Sequence, residues 1–265
     1  MYIDTHSHVY AEEFDNDREE TIKRAIEAGV SQLILPDIDQ STRERMFEVA
    51  AKYPDHLFTT LGVHPTSVNL DYKSELKALE RELNNHSNIF AIGECGIDLY
   101  WDKTYYQEQI RTLEWQLHIA RDMNLPVIIH SRESLPEIFN VLQRQHYNIK
   151  GILHCFPGNE EDASRAIDLG FLLGIGGVVT FKKSSMAEVI RRKDIEYIVL
   201  ETDSPYLTPA PYRGKRNESS YIPIIAEKIS EITGHETKKI AEITTNNAMK
   251  LFNLPREYSH GTEKV

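Results

Sequence analysis

An α/β fold, specifically a single (β/α)8 TIM barrel, is predicted from three observations. Short apolar runs of strand length alternate with longer helix-period patterns, and eight such runs occur. No repeat of about 20–50 residues, low-complexity stretch or Gly/Pro-rich linker breaks the alternation. A length of 265 residues, 40% of them hydrophobic, suits one barrel-sized core. Residues 1–253 are therefore expected to form the barrel, and 254–265 a charged C-terminal tail.

The expected strands lie near Ile3 and at 32–35, 57–63, 89–92, 126–129, 151–153, 171–175 and 195–200. Ile22, Ala25 and Ile26 recur with helical spacing before Gly29. Ile110, Leu113, Leu117 and Ala120 line one face of the longest helix, roughly 105–123. Ser219 or Ser220 is placed to cap a helix through Ile225, Ile229 and Ile232 that stops at Gly234. A last helix over 237–252 closes the domain.

Composition excludes several classes. No apolar run reaches the roughly 18 residues needed to span a bilayer, so no membrane segment is expected. A first strand at residue 2 leaves no room for a signal peptide. With only Cys95 and Cys155 there is no disulfide framework, and a reduced, cytoplasmic protein is expected. The net charge of −11 argues against broad non-specific nucleic-acid binding. It leaves room for a phosphodiester substrate, because bound divalent cations and local Lys/Arg can supply the positive field. No obligate protein partner is indicated.

Polar groups fall where packing does not explain them. The first strand reads Ile3-Asp4-Thr5-His6-Ser7-His8, and period-two alternation puts Asp4, His6 and His8 on one face. A lone His-x-His is ordinarily one hydrogen-bonded core histidine and one surface histidine. Here the pattern recurs: later strands end in His64, Glu94, His130, His154 and the pair Glu201 and Asp203. In a barrel these ends converge on one mouth, the face that carries active sites.

Each candidate has its own reading. Glu94 lies between glycines on a buried strand, where a metal or an arginine would relieve the cost of a buried carboxylate. His130 and Arg132 share a face, which suits a ligand beside a phosphate or carboxylate clamp. His154 shares a face with Phe156, an aromatic wall for substrate. Glu201 and Asp203 would repel unless a cation sat near one of them. Asp203, nearer the mouth, is the better ligand or base, and Glu201 is expected to orient a neighbour. Cys95 and Cys155 each follow a ligand candidate, so alternation turns them toward the helices as small buried hydrophobes. His64 is open between ligand, substrate contact and core histidine.

These residues carry a family resemblance across about residues 3–254. The motifs are Ile3-Asp4-Thr5-His6-Ser7-His8, Gly93-Glu94-Cys95-Gly96-Ile97-Asp98, Ile129-His130-Ser131-Arg132, His154-Cys155-Phe156, Glu201-Thr202-Asp203-Ser204-Pro205-Tyr206-Leu207 and Arg213-Gly214-Lys215-Arg216-Asn217-Glu218. The chain resembles the TatD-family metal-dependent hydrolases, a deoxyribonuclease group of the amidohydrolase-like barrels. The resemblance implies two adjacent divalent metals, with His6, His8 and Asp203 on one side, His130 and His154 on the other, and Glu94 bridging. Pro157 and Ser219 depart from the family pattern in loops that bear on substrate preference.

The implied chemistry is hydrolysis. A metal-bound water has its pKa lowered toward ~7, which makes a nucleophile available at neutral pH. Asp203 and Glu94 are the catalytic candidates, with Asp203 orienting that water or taking its proton. Arg132, Arg213, Lys215 and Arg216 are candidates for flanking phosphates, although a solvated loop also accounts for the basic run. His-rich ligation suits Zn or Mn on softness grounds, and the carboxylates keep Mg open. The expected substrate is DNA or another phosphodiester. Hydrolysis of small amides, lactones or aminoacyl esters on the same barrel is the alternative, and a non-catalytic protein with a structural metal fits an open mouth poorly.

Overall fold

The computed structural model describes residues 1–145, 148–182 and 184–255, so positions 256–265 of the expected tail lie outside the described residues. Strand and helix alternate in the order β1 (Tyr2–Asp4), α1 (Arg18–Glu27), β2 (Val30–Leu35), α2 (Gln40–Ala51), β3 (Leu57–Thr59), α3 (Tyr72–Asn85), β4 (Ile92–Asp98) and α4 (Tyr106–Met123). The second half continues β5 (Val127–Arg132), α5 (Leu135–Arg144), β6 (Gly151–Leu153), α6 (Glu160–Asp168), β7 (Phe171–Ile175), α7 (Met186–Arg192), β8 (Ile198–Leu200), α8 (Ile222–Thr233) and α9 (Thr237–Phe252).

Every strand pairs in parallel with its neighbours in the chain, β1-β2-β3 in one sheet and β4 through β8 in another. Backbone bonds cross both remaining seams: Gly93 N donates to Leu61 O at 2.8 Å, and Thr5 N to Leu200 O at 3.0 Å. This is an α/β fold of the TIM-barrel type. Period two sorts the strand residues. Ile3, Ile34, Phe58, Ile128, Ile152 and Val199 form one inner cluster, plugged by Ala248 and Phe252 of α9 and by Leu254. Their sequence neighbours, such as Leu33, Leu35, Ile129, Leu153 and Leu200, turn outward into the larger cluster under the helices. Leu254, where the tail was expected to begin, thus packs into the inner cluster. Among the described residues no helix is long and apolar enough to cross a membrane.

Several boundaries differ from the sequence expectation, β3 for instance ending at Thr59 rather than 63, and three of the differences have a physical reason. β4 runs through Asp98 rather than stopping at residue 92, because Gly96 lets it ride close to β5. A Cβ on Gly96 would lie 2.0 Å from His130 O. The residues before β8 form a 3-10 turn at Ile195–Tyr197, leaving a three-residue strand. Ser219 and Ser220 sit in a 3-10 turn, and α8 starts at Ile222 with Pro223 in its first turn, where a missing N–H costs nothing.

One ion-pair network ties α1 to the loop before α8. Arg216 bonds both oxygens of Asp17 at 2.7 Å, and Arg24 reaches Glu218 at 2.6 Å and Asp17 at 3.2 Å. The Arg216 hydrogen bonds, then Arg24, hold the Asp17 carboxyl well below the usual carboxylate range. A depressed carboxyl stabilises the fold above its unfolded pKa of about 3.9 and loses that contribution as pH falls toward the folded pKa. Asp17→Asn should therefore lower Tm at pH 7, with a difference from wild type that shrinks as pH drops below about 4. Thermal unfolding across a pH series checks this; a difference independent of pH would sink the account.

Candidate active site

The C-terminal ends of the strands place six polar side chains around one buried carboxylate, Glu94 of β4. Its Oε2 lies 3.0 Å from His6 Nε2 and 3.8 Å from His8 Nε2. Its Oε1 lies 2.9 Å from His130 Nδ1, 3.4 Å from His64 Nε2 and 3.8 Å from His154 Nε2. Asp203 Oδ1 closes the ring, 3.7 Å from the Nε2 atoms of both His6 and His8 and 3.9 Å from that of His154. The structure thus brings together His6, His8, Glu94, His130, His154 and Asp203, with His64 among them.

Local backbone explains the placement. β1 ends at Asp4, so strict alternation is not carried on to His6. Asp4 does not face the histidines: it accepts bonds from Thr202 Oγ1 at 2.6 Å, Thr202 N at 2.9 Å and His6 N at 3.2 Å. That carboxylate pins the end of β1 to the segment carrying Asp203, and Asp203 N donates to His6 O at 2.9 Å. Asp203 has φ +55°, a left-handed conformation that re-aims the chain after β8. Cys155, at φ +43°, breaks the alternation after β6 in the same way. Cys155 consequently lines the cavity, and Phe156 is buried in the outer core instead of forming a wall for substrate. Cys95 is a buried hydrophobe as expected.

Partners behind the imidazoles select their tautomers. Tyr10 OH donates to Pro36 O at 2.5 Å, a carbonyl that can only accept. The tyrosine oxygen then accepts from His8 Nδ1 at 3.0 Å, which leaves the His8 Nε2 lone pair facing the site. His130 Nε2 donates to Asp98 Oδ2 at 2.9 Å, turning Nδ1 toward Glu94. His154 Nδ1 lies 3.1 Å from Glu201 Oε1, an ion-pair distance outside hydrogen-bond alignment. Glu201 also accepts from Cys155 N at 2.6 Å. Thr66 N donates to His64 Nδ1 at 3.2 Å, which assigns the His64 proton to Nε2 and makes that atom a donor. Tyr10, Thr66 and Asp98 were missed in the sequence; Asp98 stands four residues after Glu94 on the same strand, and Tyr10 two after His8.

The electrostatics follow from burial and crowding. Burial raises the Glu94 carboxyl, but the His6, His64 and His154 imidazoles and the His130 hydrogen bond reverse this and hold it well below the usual range. Burial, then mutual repulsion, lowers His6, and His8 is pushed down to about 4. Both are therefore neutral, the form that binds metal. Burial opposes charge on His154, but Glu201, then Glu94 and Asp203, raise it to about 10. Burial also pushes Asp203 up to about 7, with His154 opposing.

The donor set fits divalent cations. His6 Nε2 and His8 Nε2 lie 3.2 Å apart and converge on the same carboxylates. His6 Nδ1 is buried without a hydrogen-bond partner among the described residues. Three groups have ligand atoms within 4.8 Å of one another: His6–His8–Asp203, His6–Glu94–His154 and His64–Glu94–His130. They open into a cavity of about 780 Å³, lined also by Asp98, Trp101, Arg132, Cys155, Tyr206 and Leu207. Of the expected substrate contacts, His64 and Arg132 line this cavity. Arg213, Lys215 and Arg216 do not. Arg213 lies over the Phe181 ring, Lys215 over Tyr212, and Arg216 is committed to Asp17.

Fold and site together define a metal-dependent hydrolase of the TIM-barrel type. The chain matches the family model of TatD-related DNases over residues 3–253. It is 38% identical to the uncharacterized metal-dependent hydrolase YabD of Bacillus subtilis over 96% of this chain and 100% of that protein. It is 30% identical to the 3'-5' ssDNA/RNA exonuclease TatD of Pantoea ananatis, over 91% of this chain and 95% of the relative. The crystal structure of YjjV, a TatD homologue from Escherichia coli, superposes with a TM-score of 0.89 at 30% identity, covering 96% of this chain and 98% of that one. The chain belongs to the TatD-related DNase family.

Tyr10→Phe removes the group that fixes the His8 tautomer while keeping the ring in place. Loss of such an outer hydrogen bond typically costs about 10–100-fold in metal affinity, and that drop is expected here. Competition with a chromogenic chelator measures it; unchanged affinity would mean that His8 needs no such orientation.

Proposed function

We propose that the barrel of residues 1–253 is a divalent-metal-dependent phosphodiesterase that hydrolyses DNA or related nucleic-acid strands, holding two ions of Zn, Mn or Mg. The observation that carries this reading is the ring of imidazoles and Asp203 around the buried Glu94 carboxylate at the mouth of a cavity. The relatives named 3'-5' ssDNA/RNA exonuclease support nucleic acid as the substrate class.

In this reading His6, His8 and Asp203 would hold one ion and His130 and His154 the other, with the Glu94 carboxylate available to both. When bound, the ions polarise the phosphoryl group and acidify water. The chain's own groups do the rest. Asp203, with a side chain 17% exposed against 1% for Glu201, is the carboxylate that can reach an attacking water and accept its proton. Glu201 and Asp98 keep His154 and His130 turned inward. His64 Nε2–H is a donor for a phosphoryl oxygen, and the Arg132 guanidinium offsets the charge of a flanking phosphate.

Stripping the protein with a chelator should abolish hydrolysis of single-stranded oligodeoxynucleotides, with activity restored by adding back Zn, Mn or Mg. Glu94→Ala should not be restored. The same preparation is assayed on RNA, small lactones and aminoacyl esters. Turnover of those small esters with none of any oligonucleotide would replace this reading with that of a small-molecule hydrolase.

Asp203→Asn keeps the shape but removes the basicity, and should lower turnover by about 10²–10⁴-fold. Glu201→Gln acts through His154 and should cost about 10–100-fold in affinity or activity. Metal occupancy is measured on the same samples. Near-normal hydrolysis by fully loaded Asp203→Asn, with Glu201→Gln inactive, would exchange the two roles.

A further inference from the structure

Beside the cavity mouth, the β4–α4 loop exposes two adjacent aromatic rings that packing does not account for. Trp101 is 68% exposed and Tyr100 51%. Single exposed apolar side chains are ordinary, but these form a unit. The rings meet edge to face at 4.9 Å, and the Arg132 guanidinium lies 3.9 Å from the Tyr100 centroid and 5.0 Å from that of Trp101. Among the described residues no carboxylate forms an ion pair with Arg132.

The unit is fixed to the active site by one carboxylate. Asp98 Oδ1 accepts from Tyr100 N at 3.0 Å and from Trp101 N at 3.2 Å, while Oδ2 takes His130 Nε2 at 2.9 Å. Leu99 N donates to Arg132 O at 2.9 Å, tying the Arg132 backbone to the start of the loop that carries the rings. Trp101 and Arg132 share the wall of the cavity with Glu94 and Asp203. Exposed π faces with a cation against both rings, one step from the proposed phosphodiester site, match the way single strands are gripped.

We propose that Trp101 and Tyr100, braced by Arg132, form a stacking platform for one unpaired nucleobase of the strand being cut. This rests on the phosphodiester reading above and assigns it a substrate form. The base must be free of a duplex to lie on the rings, so the platform selects single strands or frayed ends. Stacking reads no hydrogen-bonding edge, so the platform tolerates any base.

The test uses full-length, Mn-loaded protein and oligodeoxythymidylates in which a single abasic residue is moved along the strand. For wild type, kcat/KM should fall about 5- to 100-fold when the abasic residue occupies the platform position. In the double variant Tyr100→Ala, Trp101→Ala, the same replacement should leave a ratio of about one. Trp101→Phe should keep most of the wild-type penalty. Because each protein is compared with itself, a general loss of activity does not mimic the result. A wild type indifferent to every abasic position, or a penalty equal in the double variant, overturns the platform and leaves the phosphodiester reading standing. Failure to hydrolyse any oligonucleotide, with small esters still cleaved, overturns both.

Discussion

The site depends on the burial of one charge. The Glu94 side chain is 3% exposed on a strand flanked by glycines, where an isolated carboxylate would be severely penalised. It remains ionised because imidazoles approach it from four other strand ends. Three of the imidazoles meet a further group at the far nitrogen, His8 at Tyr10, His130 at Asp98 and His154 beside Glu201, and these form a second ring. The barrel mouth is thus a charge-balance problem solved in layers: a carboxylate, its imidazoles, then the groups that orient those imidazoles. The cluster titrates and binds cations through the same atoms, so protons and metal ions compete for it.

Holding that arrangement requires a backbone that departs from regular strand geometry where the chemistry begins. Asp4 carries the load at the seam between first and last strands. It is buried, with a carboxyl that burial raises to about 6 against the opposing pull of its hydrogen bonds from Thr202 and His6. Those bonds fasten the His6 segment to the Thr202 segment and so set the distance between His6 and Asp203. Gly96 does the same across the β4–β5 pair, where only the lack of a Cβ lets Glu94 and His130 approach. Gly174 leaves room for Glu201 itself, since a Cβ there would lie 2.2 Å from Glu201 Oε2.

The barrel and its metal-type residues were legible in the sequence because they follow from two periodicities. Strand alternation sorts Ile128 from Ile129 and puts His130 inside; the same rule holds at Ile152, Leu153 and His154. What the periodicities could not supply are the positions where the chain leaves them. Nothing in the sequence signals that Cys155 adopts a positive φ, and so Cys155 and Phe156 exchange their expected faces. Arg216 read as one of three loop cations, but its partner Asp17 is 199 residues away and visible only in three dimensions. Asp98 and Tyr10 were hidden differently. Each sits at the right spacing from a ligand, yet only a measured contact separates an orienting partner from an ordinary strand residue.

The loss of the basic loop from the site changes the ground on which a polyanionic substrate is expected. In the sequence, Arg213, Lys215 and Arg216 tilted the reading toward phosphodiesters. In the structure none of the three lines the cavity, and Arg216 is neutralised by Asp17. Among the described residues Arg132 is the one Lys or Arg in the cavity wall. A chain of net charge −11 does not draw a nucleic acid in from afar, since its field is screened within about 8–10 Å at physiological salt. For the proposed nucleic-acid substrate, attraction would arise at short range, inside the cavity, from bound cations and Arg132, with the proposed stacking adding a term that salt does not screen. Such a balance favours a strand end that can enter the mouth over a duplex lying across the acidic surface.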